Sequence, residues 1–130
     1  MRSEMDGLCQ EIYEEEVNVG LFGVGGLKGP DPDGFPVIFF KKRWNVCRKD
    51  LVKLVMDSFN SGAFPAVPNQ TLIVLVPKVY SPLDMSQLKP IGLCNTIYKV
   101  ISKIIVQRLR NLLLKLVSPN HVAFVPDRQI

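Results

Sequence analysis

The chain has 130 residues, which fits one domain, and its 47% hydrophobic and 22% charged residues are typical of a globular protein rather than a disordered one. No apolar run approaches the ~20 residues of a membrane helix, and the N-terminus lacks the apolar core of a signal peptide. The three cysteines are widely spaced and there is one histidine, which favours neither a disulfide scaffold nor a zinc site. The net charge of +4 is uneven, with eight acidic and two basic residues in 1–34 but eight basic and two acidic residues in 71–130, so the basic half is expected to bind a polyanion or to be a solvated face. The cysteine usage indicates an intracellular protein, nuclear or cytoplasmic.

The first half of the chain predicts helices joined by a glycine-rich loop. Residues 11–22 predict an amphipathic helix whose acidic first turns suit the helix dipole. A loop over residues 23–36 follows. The glycine cluster at residues 20–29, Gly-Leu-Phe-Gly-Val-Gly-Gly-Leu-Lys-Gly, lacks the lysine and hydroxyl order of a phosphate-binding loop, so we interpret the cluster as a flexible turn. Helical spacing from residue 35 to about residue 60 predicts one helix, or two with a break near residues 45–49. The segment Asn60-Ser-Gly predicts the stop of this helical region.

The second half predicts a hairpin followed by a long helix. Residues 71–76, Thr-Leu-Ile-Val-Leu-Val, predict a strand that we expect to be buried on both faces. Residues 79–86 predict a loop and residues 88–93 a weaker second strand. Asn95 then caps a helix that is predicted to reach Val117 with its apolar stripe toward the core. The predicted fold class is therefore α+β, mostly helical, and we expect the domain to be incomplete because one strong strand needs partners.

Two lysines stand out beside the predicted hairpin. Lys78 follows the first strand, and Lys89 lies eleven positions later. If the two segments pair, both cations can lie near one another at the exposed end of the hairpin, which suits a triphosphate. On spacing alone, two unrelated solvated lysines remain the simpler interpretation.

Four segments in order carry a family resemblance. Residues 30–35, Pro-Asp-Pro-Asp-Gly-Phe, are similar to a Pro-Gly-Pro-Asp-Gly-Phe loop, and residues 71–78 are similar to a strand ending in Ile-Pro-Lys. Residues 88–99 resemble a Phe-Arg-Pro-Ile-Ser-Leu-Cys-Asn segment with the helix after it, and residues 122–130 resemble Ser-Ala-Phe-Val-Pro-Gly-Arg-Gln-Ile. These are motifs of LINE-type reverse transcriptases, which are encoded by non-LTR retrotransposons.

The resemblance implies part of a right-hand polymerase. Residues 11–130 would be the fingers and the start of the palm, after an N-terminal tail at residues 1–10. The partners would be an RNA template, a DNA primer and a palm that lies outside this sequence. The residues that the resemblance assigns are Lys78 and Lys89 for the incoming triphosphate, Arg128, Lys99 and Lys103 for template or primer, and Pro32, Asp33 and Gly34 for a structural turn.

Three positions depart from the family pattern. Asp31 and Asp127 each replace a glycine, and Lys89 replaces an arginine, so it lacks the bidentate fork for phosphate. A non-glycine residue at position 31 would resist the positive φ that glycine allows. Together these departures suggest a decayed copy.

The catalytic carboxylates of the family lie downstream of the matched region. Polymerases use such carboxylates to hold two metal ions, and no Asp-Asp pair occurs in this sequence. We therefore predict no metal site and no cofactor in this chain, Mg²⁺ only in the complete parent enzyme, and no polymerase activity from the isolated chain. The alternatives are a stand-alone basic nucleic-acid-binding module and a non-functional retroelement remnant.

Overall fold

A computed structural model of the chain describes residues 6–26, 31–63 and 71–117. The elements confirm the predicted α+β class, mostly helical with a short antiparallel hairpin. The segment 122–130, with Arg128 and Asp127, lies outside the described residues. In chain order the elements are helices α1 (Glu14–Gly23), α2 (Val37–Lys42) and α3 (Trp44–Ser61), strand β1 (Thr71–Pro77), a 3-10 turn (Met85–Gln87), strand β2 (Leu88–Cys94) and helix α4 (Thr96–Leu116).

The core lies where α1 and α3 pack against the first half of α4. Each of these helices has apolar residues at spacings of three and four, so one face of each is buried. Burying a side chain of this size stabilises the fold by roughly 1.5–3 kcal/mol. The buried apolar side chains are Val17 and Leu21 from α1, Leu51 and Val55 from α3, Val100, Ile101 and Ile104 from α4, and Ile12, Val24 and Val37 from the connecting segments and α2.

Two glycines of the predicted flexible turn lie in α1 and face α4. A Cβ atom added at Gly20 would lie 3.1 Å from Cγ1 of Ile104, and one at Gly23 would lie 3.1 Å from Cε of Lys103. Separations of 3.0–3.4 Å are tighter than nine in ten real Cβ contacts, so these glycines permit the close approach of the two helices. The flexible-turn interpretation is wrong for both positions, because both glycines lie in α1 and their lack of a side chain lets α1 pack closely against α4.

The predicted break in the second helical segment occurs two residues earlier than expected. Arg43, with φ −108° and ψ 22°, separates α2 from α3, so the predicted position near residues 45–49 is wrong. The predicted stop is confirmed, because Gly62 adopts the left-handed conformation that commonly ends helices. In α2, Lys41 donates from Nζ to the carbonyl oxygens of Phe22 (3.2 Å) and Val24 (2.5 Å), and so caps the C-terminal end of α1.

The hairpin is confirmed, but its predicted burial is wrong. All seven residues of β1 are exposed, and β2 is exposed or half-buried throughout. Within the described part of the chain the sheet has only these two strands, and neither face is covered by a helix. Strand β1 therefore has the composition of a buried strand, but no described helix or second sheet packs on it to bury it.

The apolar stripe of α4 is only partly core. Its N-terminal half is buried at Val100, Ile101 and Ile104, whereas Ile105 and Leu116 are exposed. The prediction that the whole stripe faces the core is thus wrong for Ile105 and Leu116, because the contacts with α1 and α3 bury only the side of α4 that carries Val100, Ile101 and Ile104. No described helix combines the length and hydropathy needed to cross a membrane.

We expect Gly20→Val to lower the free energy of unfolding by about 1–3 kcal/mol, because the added side chain overpacks the contact with Ile104. Urea denaturation of the full chain measures this change. Gly7→Val is the control, since a Cβ atom at Gly7 meets nothing within 4 Å. Equal stability of the two variants would contradict the assigned role of Gly20.

Candidate nucleic-acid interface

The register of the hairpin places Lys78 and Lys89 on one face. Val76 pairs with Lys89 and Pro77 with Leu88, and the backbone N–H of Lys78 donates to the carbonyl of Gln87 over 2.8 Å. Lys78 therefore continues the ladder opposite Gln87. Since side chains alternate between faces, Lys78 lies on the same face as Val76 and its partner Lys89.

A hydrogen-bonded tip holds this end of the hairpin. The Nζ atom of Lys78 donates to the carbonyl of Ser86 over 3.0 Å. The N–H of Leu83 donates to Oε1 of Gln87 over 2.7 Å, and the N–H of Gln87 donates to the carbonyl of Asp84 over 3.0 Å. Lys89 is exposed. The structure thus brings the two predicted lysines to one end of an ordered ribbon, and their contact with a triphosphate stays a prediction.

Lys99 is engaged within the chain. Its ammonium forms an ion pair with Oδ1 of Asp31, whose side chain is 2% exposed, while that of Lys99 is 20% exposed. Thr96, in the first turn of α4, donates from Oγ1 to Oδ2 of Asp31 over 2.5 Å. Both carboxylate oxygens of Asp31 therefore accept from α4, and the charge of Lys99 is largely compensated there.

The predicted structural turn is tied to the start of α4. The N–H of Gly34, whose φ is +79°, donates to the carbonyl of Asp31 over 2.9 Å and closes a β-turn through Pro32 and Asp33. The N–H of Asp33 donates to Oδ1 of Asn95 over 3.3 Å. Asn95 occupies the predicted N-cap position, but it makes no side-chain capping bond to its own helix. Its oxygen binds the turn instead.

Asp31 does not have the backbone strain that its departure from the family pattern suggested. Ser81 is the only non-glycine residue with positive φ in the described ranges. The carboxylate of Asp31 is buried and bonded to Thr96 and Lys99, a partnership that a glycine cannot make. For Asp31, the interpretation as a decayed position is therefore not supported.

Lys103 lines a cleft of about 440 Å³ between the end of α1, strand β2 and helix α4. Its aliphatic stem passes beside Gly23. The other polar side chains of this cleft are those of Tyr98, Lys99 and Ser102. Of the residues predicted for template or primer, Lys99 and Lys103 thus share one cleft, and their binding role stays a prediction.

Arg108 is an important residue that the sequence analysis missed. Its guanidinium donates from Nε and Nη2 to the two carboxylate oxygens of Glu16 at 2.9 and 2.7 Å. It also donates to the carbonyls of Leu8, Gln10 and Glu11 at 3.0, 2.8 and 3.1 Å. All five donors of the guanidinium are thereby used. The sequence signal was its place four residues after Ile104, on the buried stripe of α4.

This pairing changes the titration of Glu16. The pKa of Glu16 is lowered below its ordinary 4.5, first because Arg108 donates to the carboxylate, although burial opposes the change. The pKa of Arg108 is raised for the same reason. Arg108 also binds the carbonyl oxygens of Leu8 and Gln10, and so holds the end of the predicted tail beside α4.

The described residues offer no metal-binding cluster. No three side chains of His, Cys, Asp or Glu lie together there in a way that could hold an ion. The magnesium requirement of a complete parent enzyme stays a prediction.

Comparison with known proteins relates the chain to a transposon. No protein-family model matches the sequence. The chain is 28% identical over 119 residues to the transposon TX1 uncharacterized 149 kDa protein of Xenopus laevis. The similar region covers 92% of this chain and 9% of that protein, so the chain spans about a tenth of its relative's length. This distant similarity, at 28% identity, supports the predicted relation to transposable elements.

We expect Asp31→Gly, which installs the residue of the family pattern, to lower the free energy of unfolding by about 3 kcal/mol. The reason is that Lys99 and Thr96 would lose their buried acceptor, and an uncompensated charge would remain. Chemical denaturation measures the loss. Asp84→Gly, which removes an exposed carboxylate at the hairpin tip, is the control.

A double variant separates the cost of the uncompensated Lys99 charge from the other causes of the stability loss in Asp31→Gly. Adding Lys99→Met to Asp31→Gly removes the uncompensated ammonium, so we expect part of the lost stability to return. An Asp31→Gly variant as stable as the natural chain would instead support the interpretation of position 31 as decayed.

We expect stability to fall as the pH drops below about 4.5, because Glu16 is paired with Arg108 in the folded chain. A carboxyl with a lowered folded pKa stabilises the fold above its unfolded pKa, and this contribution is lost as the pH falls through the folded value. Urea denaturation between neutral pH and pH 3 measures the slope. Glu16→Gln should flatten it, whereas Glu14→Gln, at a more exposed pair with Arg48, should leave it nearly unchanged.

Proposed function

We propose that the chain is part of a LINE-type reverse transcriptase, from the fingers region of a right-hand polymerase. In this role it contributes contacts to the incoming nucleotide and to the template, and chemistry is left to a palm outside this sequence. The observation that carries the proposal is the placement of Lys78 and Lys89 on one face at the end of an exposed hairpin. The distant similarity to a transposon protein supports it independently.

The chemistry of the hairpin end fits a triphosphate or a nucleic-acid backbone. Ammonium groups attract phosphate oxygens as point charges and donate hydrogen bonds to them. Backbone pairing in the ribbon limits where Lys78 and Lys89 can move, so a bound phosphate would not have to order the chain first. Tyr80 in the same tip is fully exposed, and such an aromatic ring can stack on an unpaired base.

The exposed faces of the hairpin favour a part of a larger enzyme over a self-sufficient binding module. On β1 and β2, Leu72, Ile73, Val74, Leu75 and Ile91 are exposed to solvent. Monomeric proteins rarely leave such contiguous apolar area uncovered. In a complete polymerase, neighbouring structure would cover it.

A non-functional remnant is less favoured because the departure at position 31 has a structural use. The buried side-chain N and O atoms of the described residues all have hydrogen-bond partners. Mutational decay tends to leave such groups unpaired, at a cost of about 1–3 kcal/mol each. In this chain Asp31, Asn95 and Thr96 are buried and bonded.

Binding of a labelled primer–template across a salt series tests the proposal. We expect the pair Lys78→Gln and Lys89→Gln to weaken binding about tenfold, and to reduce the slope of log K against log salt by one to two, since each lost phosphate contact removes about 0.9. The matched control is Lys49→Gln with Lys53→Gln, two exposed lysines of α3, and it should retain most of the binding.

Two outcomes would contradict the proposal. Equal losses in both double variants would mean that binding follows overall charge rather than the hairpin end. Primer extension by the isolated chain with dNTPs and Mg²⁺ would contradict the assignment of catalysis to a region outside this sequence, because the family's two-metal chemistry uses an Asp-Asp pair that does not occur in this sequence.

A further inference from the structure

Strand β1 has one edge that is available for further pairing. The N–H of Lys78 points toward β2, and backbone groups alternate in direction along a strand. The groups of Val76, Val74 and Leu72 therefore point toward β2 as well. Those of Thr71, Ile73 and Leu75 point away from it, and in the described part of the chain β1 pairs with β2 alone. Each of these three residues thus presents an N–H and a C=O on the free edge.

The outer edge of β2 is protected, unlike that of β1. Pro90 lies opposite Leu75 in the ladder, so its ring nitrogen falls on the outward side, where it has no hydrogen to donate. A proline in the middle of an edge prevents another strand from pairing along it. On β1, the corresponding proline is Pro77 at the last position, and the preceding six residues include neither proline nor a charged side chain.

The free edge has the composition of a strongly pairing strand. Residues 71–76 are β-branched or leucine throughout and uncharged, which is the pattern of segments that pair with further strands. An isolated two-stranded hairpin is marginally stable, and a third strand strengthens it. The side chains of Ile73 and Leu75 are also exposed, so contacts with an added strand beside them would bury part of their apolar surface and leave the face of the sheet open to other structure.

We propose that this edge binds a second copy of the chain, with the two β1 strands antiparallel about a two-fold axis through Ile73. In this register Ile73 pairs with Ile73 of the partner subunit, and Thr71 pairs with the partner's Leu75. Every outward N–H of these residues then meets a C=O of the other copy. The result is a four-stranded sheet.

A second copy fits this edge better than a charged peptide does. Two-fold pairing brings identical side chains opposite one another, and like charges in such positions are destabilising. Strand β1 has none, so this repulsion does not arise. The pairing is isologous and closes at two copies, because β2 occupies the other side of each β1 and the outer edge of β2 is interrupted by Pro90.

Sedimentation velocity of the full 130-residue chain, over a wide concentration range, gives the first test. We expect reversible dimers that Leu75→Pro abolishes, because proline removes an outward N–H that β2 does not use. Leu75→Val keeps that N–H and should keep the dimer. Circular dichroism verifies that Leu75→Pro retains the fold of the natural chain.

Charge pairing at the axis gives a second test that does not depend on proline. Ile73→Lys places two ammonium groups opposite each other, and Ile73→Glu places two carboxylates there, so each variant alone should be monomeric. Mixing the two variants in equal amounts should restore dimers, in which a lysine faces a glutamate. Only pairing of position 73 with itself predicts this recovery.

Three results would overturn the proposal. One is a natural chain that stays monomeric at the highest concentration reached. Another is a folded Leu75→Pro variant that dimerises as well as the Leu75→Val variant. The third is a mixture of the lysine and glutamate variants at position 73 that remains monomeric while the natural chain dimerises.

Discussion

The buried carboxylate of Asp31 determines how the loop at residues 31–36 meets the rest of the molecule. It accepts from Thr96 and Lys99 on the first turn of α4, and the turn that follows it binds Asn95. Since β2 ends at Cys94 and α4 begins at Thr96, these bonds converge on the junction between hairpin and helix. Asp31 therefore influences the direction in which the hairpin, with Lys78 and Lys89, leaves the helical core.

Basic residues of this chain fall into two groups that net charge does not distinguish. Lys41, Lys99 and Arg108 are used internally, on helix carbonyls, on Asp31 and on Glu16. Lys89 is exposed, and Lys78 is exposed with one bond to the carbonyl of Ser86. The net charge of +4 therefore does not show which positive charges a polyanion can reach. The charges at the hairpin end are accessible, whereas those of Lys41, Lys99 and Arg108 are used inside the chain.

Local features of the fold could be predicted from the sequence, and long-range ones could not. Helix α4, the hairpin and the stop at Gly62 follow from periodicity and turn residues that act within a few positions. The same-face placement of Lys78 and Lys89 needed only the register. The exposure of β1, the burial of Asp31 and the packing of Gly20 depend on which elements meet in space, and no spacing within one element reports that. Resemblance even misdirected the interpretation of Asp31, because it compared residues and not their partners.

Arg108 has a consequence for the order in which the chain can acquire its structure. It binds the carbonyl of Leu8, a residue 100 positions earlier. During synthesis on a ribosome, the segment that contains Leu8 emerges long before the guanidinium that donates to it, and this bond cannot form until Arg108 has left the exit tunnel. Closing so long a loop is costly in entropy. The segment at residues 8–11 should therefore be among the last of the described parts of a newly made molecule to become protected from proteases.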